Sequence, residues 1–167
     1  MGSGAARPGD FVGSLCAAAV AARLARWRGT ASLREPLLWV LHLGYAWLAL
    51  GLFFLALSGE TTVFPQTAAL HALTVGAIGT MTLAVMTRAS LGHTGRTLGA
   101  GRGTTAIYVL ITLAAALRVA APFAAEHYLA VLSLAGAAWS GAFGLFVCRY
   151  GPLLMRPRVT DETARPI

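Results

Sequence analysis

The stretch LLWVLHLGYAWLALGLFFLAL, residues 37–57, decides the fold class. Across its 21 residues the titratable groups are His42 and Tyr45 alone. At ~1.5 Å per residue a helix of this length is about 31 Å long, close to the hydrocarbon thickness of a bilayer. Apolar side chains fill every face, so neither strand alternation nor a soluble amphipathic helix describes it. Inside a bilayer the backbone must satisfy its own polar groups, and a helix does so within one segment. Three further runs of the same kind occupy residues 67–87, 104–123 and 128–148. The expected fold is all-α: a polytopic transmembrane helix bundle of about four full spans, preceded by a truncated or interfacial N-terminal helix.

The rest of the composition agrees. Of 167 residues 57% are hydrophobic and 11% charged, against about 25% charged in soluble domains. The 13 basic residues are all arginine, against 6 acids, giving a net charge of +7. On a soluble chain this excess would suggest nucleic acid, but no basic stripe interleaved with aromatics is present, so no nucleic-acid partner is expected. The arginines instead sort by loop. Arg23, Arg26, Arg28 and Arg34 precede the first run; Arg88, Arg96 and Arg102 lie between the second and third; Arg149, Arg156, Arg158 and Arg165 follow the fourth. The two intervening connections carry Glu60, and Glu126 with His127, and no arginine. The arginine-bearing side is therefore expected to be cytoplasmic, with both flanks of the four-helix unit inside and the lipid bilayer as principal partner.

Three regions follow: 1–33, a partial apolar helix with a basic cytoplasmic stretch; 34–150, the four-helix unit; and 151–167, a disordered cytoplasmic tail. Residues 11–22 are apolar for only 12 positions before Arg23. A signal peptide is opposed by Asp10 and by the basic cluster that follows at once. A truncated helix is the preferred reading, with an interfacial segment as the alternative. Small residues recur at four-residue spacing at Ala72, Gly76, Thr80 and Ala84, and again at Gly136, Ser140 and Gly144. Both stripes are read as packing faces. Cys16 and Cys148 form no C-x-x-C or haem-attachment motif, so any haem would be bound without a covalent link.

Polar groups at membrane depth need a physical reason. Arg118 lies about two-thirds along the third run, near its outer end. It either snorkels to the interface or faces the bundle and pairs with an anion such as a cofactor carboxylate. His71 and His127 begin the outer ends of the second and fourth runs. His42 lies about one and a half turns into the first run, and His93 in the inner loop. Each is either a hydrogen-bonding packing group or a neutral imidazole suited to haem iron or copper. Residues 88–103 read as a flexible basic loop, since the phosphate-loop pattern is missing. No catalytic triad or other recognisable catalytic motif occurs.

The stretch HALTVGAIGTMTLAVMTRASLGHTGR, residues 71–96, resembles the signature of the NnrS family, bacterial membrane proteins that contain haem and copper and are linked to nitric oxide metabolism. REPLLWVLHLGYAWLALGL, residues 34–52, is similar to the family's preceding helix, and LRVAAPF, residues 117–123, to a third block. The resemblance covers roughly residues 23–150. It implies an inner-membrane protein of about twelve helices, of which this chain would be the C-terminal portion. It also implies haem and copper as cofactors, with His42, His71 and His93 as candidate metal ligands, His71, His42 and Arg118 as cofactor-binding candidates, and Arg88 carried with them. His71 or His42 would ligate haem and Arg118 would face a propionate. Function is then expected in nitric oxide metabolism and resistance to nitrosative stress, with a homo-oligomer or a complementary N-terminal half as partner. The competing expectations are a metal-free transporter-like or scaffold subunit, and a non-functional fragment.

Overall fold

The computed structural model describes residues 8–26, 35–60 and 64–159. Their secondary structure is helical, arranged as five successive helices. Helix α1 is Pro8–Arg26 and α2 is Pro36–Glu60. Helix α3 is the continuous rod Gln66–His93, whose middle, Ala72–Gly79, is wound as a π-helix. Helix α4 is Arg102–Ala120, extended by two short 3₁₀ turns at Ala121–Phe123 and Ala125–His127, and α5 is Tyr128–Leu154. Four of these rods, α2 to α5, are long and apolar enough to cross a membrane. Large apolar side chains stay exposed along them, Ile78, Val85, Leu129 and Val147 among others. In water that would be a liability; against lipid tails it is what spanning helices require.

Helix ends follow local chemistry. Both α1 and α2 open on a proline, whose missing N–H costs nothing in the first turn. The Glu35 carbonyl accepts the N–H groups of Leu38 and Trp39, closing the first turn of α2. The end of α3 is a Schellman motif: Arg96 N–H donates to the Leu91 carbonyl, and Gly95 N–H to that of Gly92. Gly95 supplies the left-handed residue such an end needs, at φ 69°.

These ends correct several boundaries. The N-terminal apolar stretch is part of a 19-residue helix, because Pro8 starts it early and Arg23 and Arg26 in the last turn complement the helix dipole. A methyl group at Gly13 would sit 3.5 Å from Ala56 Cβ, so α1 lies antiparallel against α2. The basic loop expected at 88–103 shrinks to 94–101, since α3 continues to His93 and α4 begins at Arg102. The tail expected from 151 begins as helix to Leu154, and Val159 N–H then donates to the Thr94 carbonyl, tying the chain to the end of α3. Residues 160–167 lie outside the described residues.

The helices alternate in direction. Gly44 lies under Met81, Gly76 under the Trp47 ring and Gly51 under Leu73, which sets α2 antiparallel to α3. Thr87 with Tyr108 and Thr104 with Tyr150 do the same for α3–α4 and α4–α5. This alternation gathers Arg23, Arg26, Arg88, Arg96, Arg102, Arg149, Arg156 and Arg158 at one end of the bundle. The tight core sits in that half: Leu37, Val40, Leu83, Ile107, Tyr108, Ile111, Phe146 and Tyr150 are all buried. The opposite, arginine-poor half is packed through small residues, Ala68, Ala69, Ala72, Ala114, Ala115 and Ala121 among its buried ones.

Candidate functional site

His71 ends the first α-turns of α3, directly before the π segment. A π-helix is rare, and where it occurs it often marks a functional position. Eight residues of it are held here by close helix contacts. A Cβ at Gly76 would come within 2.7 Å of the Trp47 ring, and one at Gly51 within 2.5 Å of Leu73. Two buried polar atoms beside it, Trp47 Nε1 and Thr80 Oγ1, have no hydrogen-bond partner. The Ala72, Gly76, Thr80, Ala84 stripe is buried throughout, as a packing face should be.

His71 is half-buried, and Arg118 on α4 lies within electrostatic reach of it. Arg118 is also half-buried, and forms no hydrogen bond or ion pair among the described residues. Next to it is a cavity of about 250 Å³ between α3, α4 and α5. Val75 closes it from α3, Ala114 and Arg118 from α4, and Leu132, Gly136 and Trp139 from α5. It is mostly apolar, with Arg118 in its wall and Ser140 toward its deeper end.

The other sequence candidates lie elsewhere. His42 is on α2 at about the level of Thr82, eleven positions along the α2–α3 pair from His71. At ~1.5 Å per residue this is roughly 16 Å, too far for one metal ion. Its Nδ1–H donates to the Leu38 carbonyl at 3.0 Å within its own helix. His93 does not sit in the loop but is the last residue of α3, exposed at the arginine-rich end. His127 is exposed too, 3.7 Å from Glu126. The structure thus brings together His71 and Arg118, and leaves His42 and His93 apart from them and from each other. No group of three His, Cys, Asp or Glu side chains is close enough to hold a metal among the described residues.

The second small-residue stripe also differs from expectation. Gly136, Ser140 and Gly144 are exposed, and a Cβ at Gly136 or Gly144 would meet nothing within 4 Å. The buried face of α5 is instead Ala135, Ala138, Ala142, Phe146 and Tyr150. Alanine at helical spacing serves packing as well as glycine does, and Phe146 and Tyr150 decide which face turns inward.

Sequence reading also passed over two buried hydroxyl pairs in the arginine-rich half. Tyr108 bonds Thr87, and Tyr150 bonds Thr104 at 2.7 Å, all four residues being buried. The available signal was a tyrosine inside an apolar run, which in lipid needs a partner for its hydroxyl. Here the partners are threonines on the neighbouring helix.

A family model described as NnrS protein matches residues 3–158, which is most of the chain. No curated protein matches, and no solved structure does.

Proposed function

Because the chain belongs to the NnrS family, we propose that it acts in nitric oxide metabolism and protection from nitrosative stress, as a haem- and copper-dependent protein of the bacterial cytoplasmic membrane. The orientation that goes with this reading places the arginine-rich end in the cytoplasm. The supporting observation is that His71 and Arg118 lie within electrostatic reach of each other beside the π segment. It is one imidazole nitrogen donor and one cation on facing helices, the way ligand sites in helix bundles are built.

Neither cofactor fits the described residues alone. A cavity of about 250 Å³ is smaller than the roughly 300–1,000 Å³ of pockets that enclose a drug-sized ligand, and a haem macrocycle does not enter it. A copper site needs several donors, and His71 belongs to no group of three or more His, Cys, Asp or Glu side chains among the described residues. We therefore assign His71 as a donor from one side, with the remaining ligands supplied from outside the described bundle, by a complementary half or a second copy. His42 is the second candidate, at a separate site.

The test is an optical spectrum and metal analysis of the protein purified from native membranes. The expected result is a Soret band and bound copper, with the band lost in His71→Ala and kept in His93→Ala. A colourless, metal-free protein would sink the cofactor reading and favour a scaffold or transporter-like role. A gene deletion that leaves growth under nitric oxide unchanged would sink the physiological one.

A further inference from the structure

We infer that the cavity beside Arg118 seats one anionic phospholipid from the leaflet at the arginine-poor end, its phosphate on the guanidinium and one acyl chain along α5.

The guanidinium is the first reason. Arg118 keeps its charge in any environment a protein offers, and a charge at membrane depth is paired, solvated or costly. Among the described side chains nothing pairs with it: Glu126 is exposed beside His127, and His71 carries no negative charge. Depth is the second. Arg118 lies five residues from the end of the Arg102–Phe123 span, about 8 Å inside it. That backbone depth is a few ångströms inside the hydrocarbon, within the reach of a snorkelling arginine, so the guanidinium meets a lipid phosphate at the edge of its layer.

Shape is the third. Along α5 the cavity runs inward from Leu132 past Gly136 to Trp139, about two helical turns of mostly apolar wall, with Arg118 facing it from α4. At roughly 30 Å³ per water-sized group, 250 Å³ holds about eight such groups. That is a segment of acyl chain; a free phosphate would leave the apolar wall unused. Gly136 and Trp139 are exposed, so the cavity opens sideways to the bilayer and a lipid enters without passing through the bundle. The exposed glycine at 136, which packs against nothing, is then accounted for: a larger side chain there would fill the groove.

The experiment is native mass spectrometry of the full-length protein, delipidated in detergent and titrated with three probes. Dioleoylphosphatidylglycerol has both phosphate and chains, dioleoylglycerol only chains, and glycerol 3-phosphate only phosphate. The expected result is one phosphatidylglycerol retained per chain, weak retention of dioleoylglycerol, and no competition from glycerol 3-phosphate. Arg118→Gln and Gly136→Leu should each reduce retention roughly tenfold, the size expected for losing a charge-assisted hydrogen bond or its equivalent in contact. Arg118→Lys should restore much of it. Gly136→Leu keeps the experiment decisive if Arg118→Gln fails to fold, because nothing in the bundle obstructs the added side chain.

Unchanged retention in the folded variants would overturn the proposal. So would competition by glycerol 3-phosphate as strong as that by the lipid, or a dimer lost in Gly136→Leu with no lipid bound. An optical spectrum of the same samples separates this site from the cofactor reading. A Soret band that vanishes in Arg118→Gln while lipid retention persists would assign Arg118 to the cofactor and overturn the lipid site.

Discussion

At Gly95 the backbone enters the left-handed region, and a Cβ there would collide with the Val159 carbonyl. Both penalties fall on any other residue. Gly95→Ala should destabilise the protein by about 1–3 kcal/mol, read as a lowered midpoint of thermal unfolding in detergent; an unchanged midpoint would show that the end of α3 does not need this turn. The two hydroxyl pairs give a ranked prediction. In Tyr108→Phe the Thr87 hydroxyl keeps its bond to the Ala84 carbonyl, so only one cross-helix bond goes. The cost should be near 0.6 kcal/mol, the average for such bonds in membranes. In Thr104→Val the buried Tyr150 hydroxyl loses the partner it has. That leaves an orphan group and should cost about 1–3 kcal/mol. Equal costs in the two unfolding curves would contradict this ranking. At this scale the sequence was informative about His71 and Arg118, because polar groups stand out in apolar runs. It was silent about which threonine meets which tyrosine, since that depends on how two helices are rotated against each other.

Helices were legible from length and hydropathy alone, and their ends less so. Apolar runs stop where lipid stops, but a helix continues until its backbone groups are capped. That is why α3 reaches His93 and α5 reaches Leu154, beyond the expected 87 and 148. The π segment was not visible at all. An uninterrupted apolar run is equally compatible with either winding, and close contacts with α2 accompany the wider one here. Gly76 and Gly79 distinguish the walls of α3. A Cβ at Gly76 meets the rigid Trp47 ring at 2.7 Å, whereas one at Gly79 meets the mobile end of Ile111 at 3.3 Å. Gly76→Ala should therefore cost about 1–3 kcal/mol, the range for overpacking, and Gly79→Ala much less. The reverse order in thermal melts would mean that Trp47 yields more readily than Ile111. Of the two small-residue stripes, spacing alone identified both and could not say which faces inward.

For the molecule as a whole, the arginine count per loop predicted alternating helices, and the helix contacts agree. The topology has a direct test. In a chain whose Cys16 and Cys148 are replaced by alanine, Gln66→Cys should react with a membrane-impermeant maleimide on intact cells, and Thr97→Cys only after permeabilisation. Labelling of Thr97→Cys from outside would reverse the proposed orientation. The division into an arginine-rich half packed by large side chains and an arginine-poor half packed by alanine and glycine was not legible in advance, because it depends on which face of each helix turns inward. It arises from where the large side chains fall: Tyr108, Tyr150, Ile107, Ile111 and Leu83 all meet at one end.

The unequal lengths of the rods carry a consequence for the membrane itself. The spans of α2 and α4 are 23 and 22 residues, while those of α3 and α5 are 28 and 30. The shorter pair, at about 33–35 Å, matches an ordinary bilayer with little tilt. The longer pair exceeds it by roughly 8–10 Å. Hydrophobic mismatch would normally be relieved by tilting, but α3 and α5 are fastened at one end by the Thr94–Val159 bond, and Arg149 folds over Gly103 there. Their surplus is therefore shared between the faces, with residues 89–93 of α3 and 151–154 of α5 at the arginine-rich end and Ala125–His127 at the other. A thicker membrane would then reach the limit of α2 and α4 first, while α3 and α5 still have length to spare.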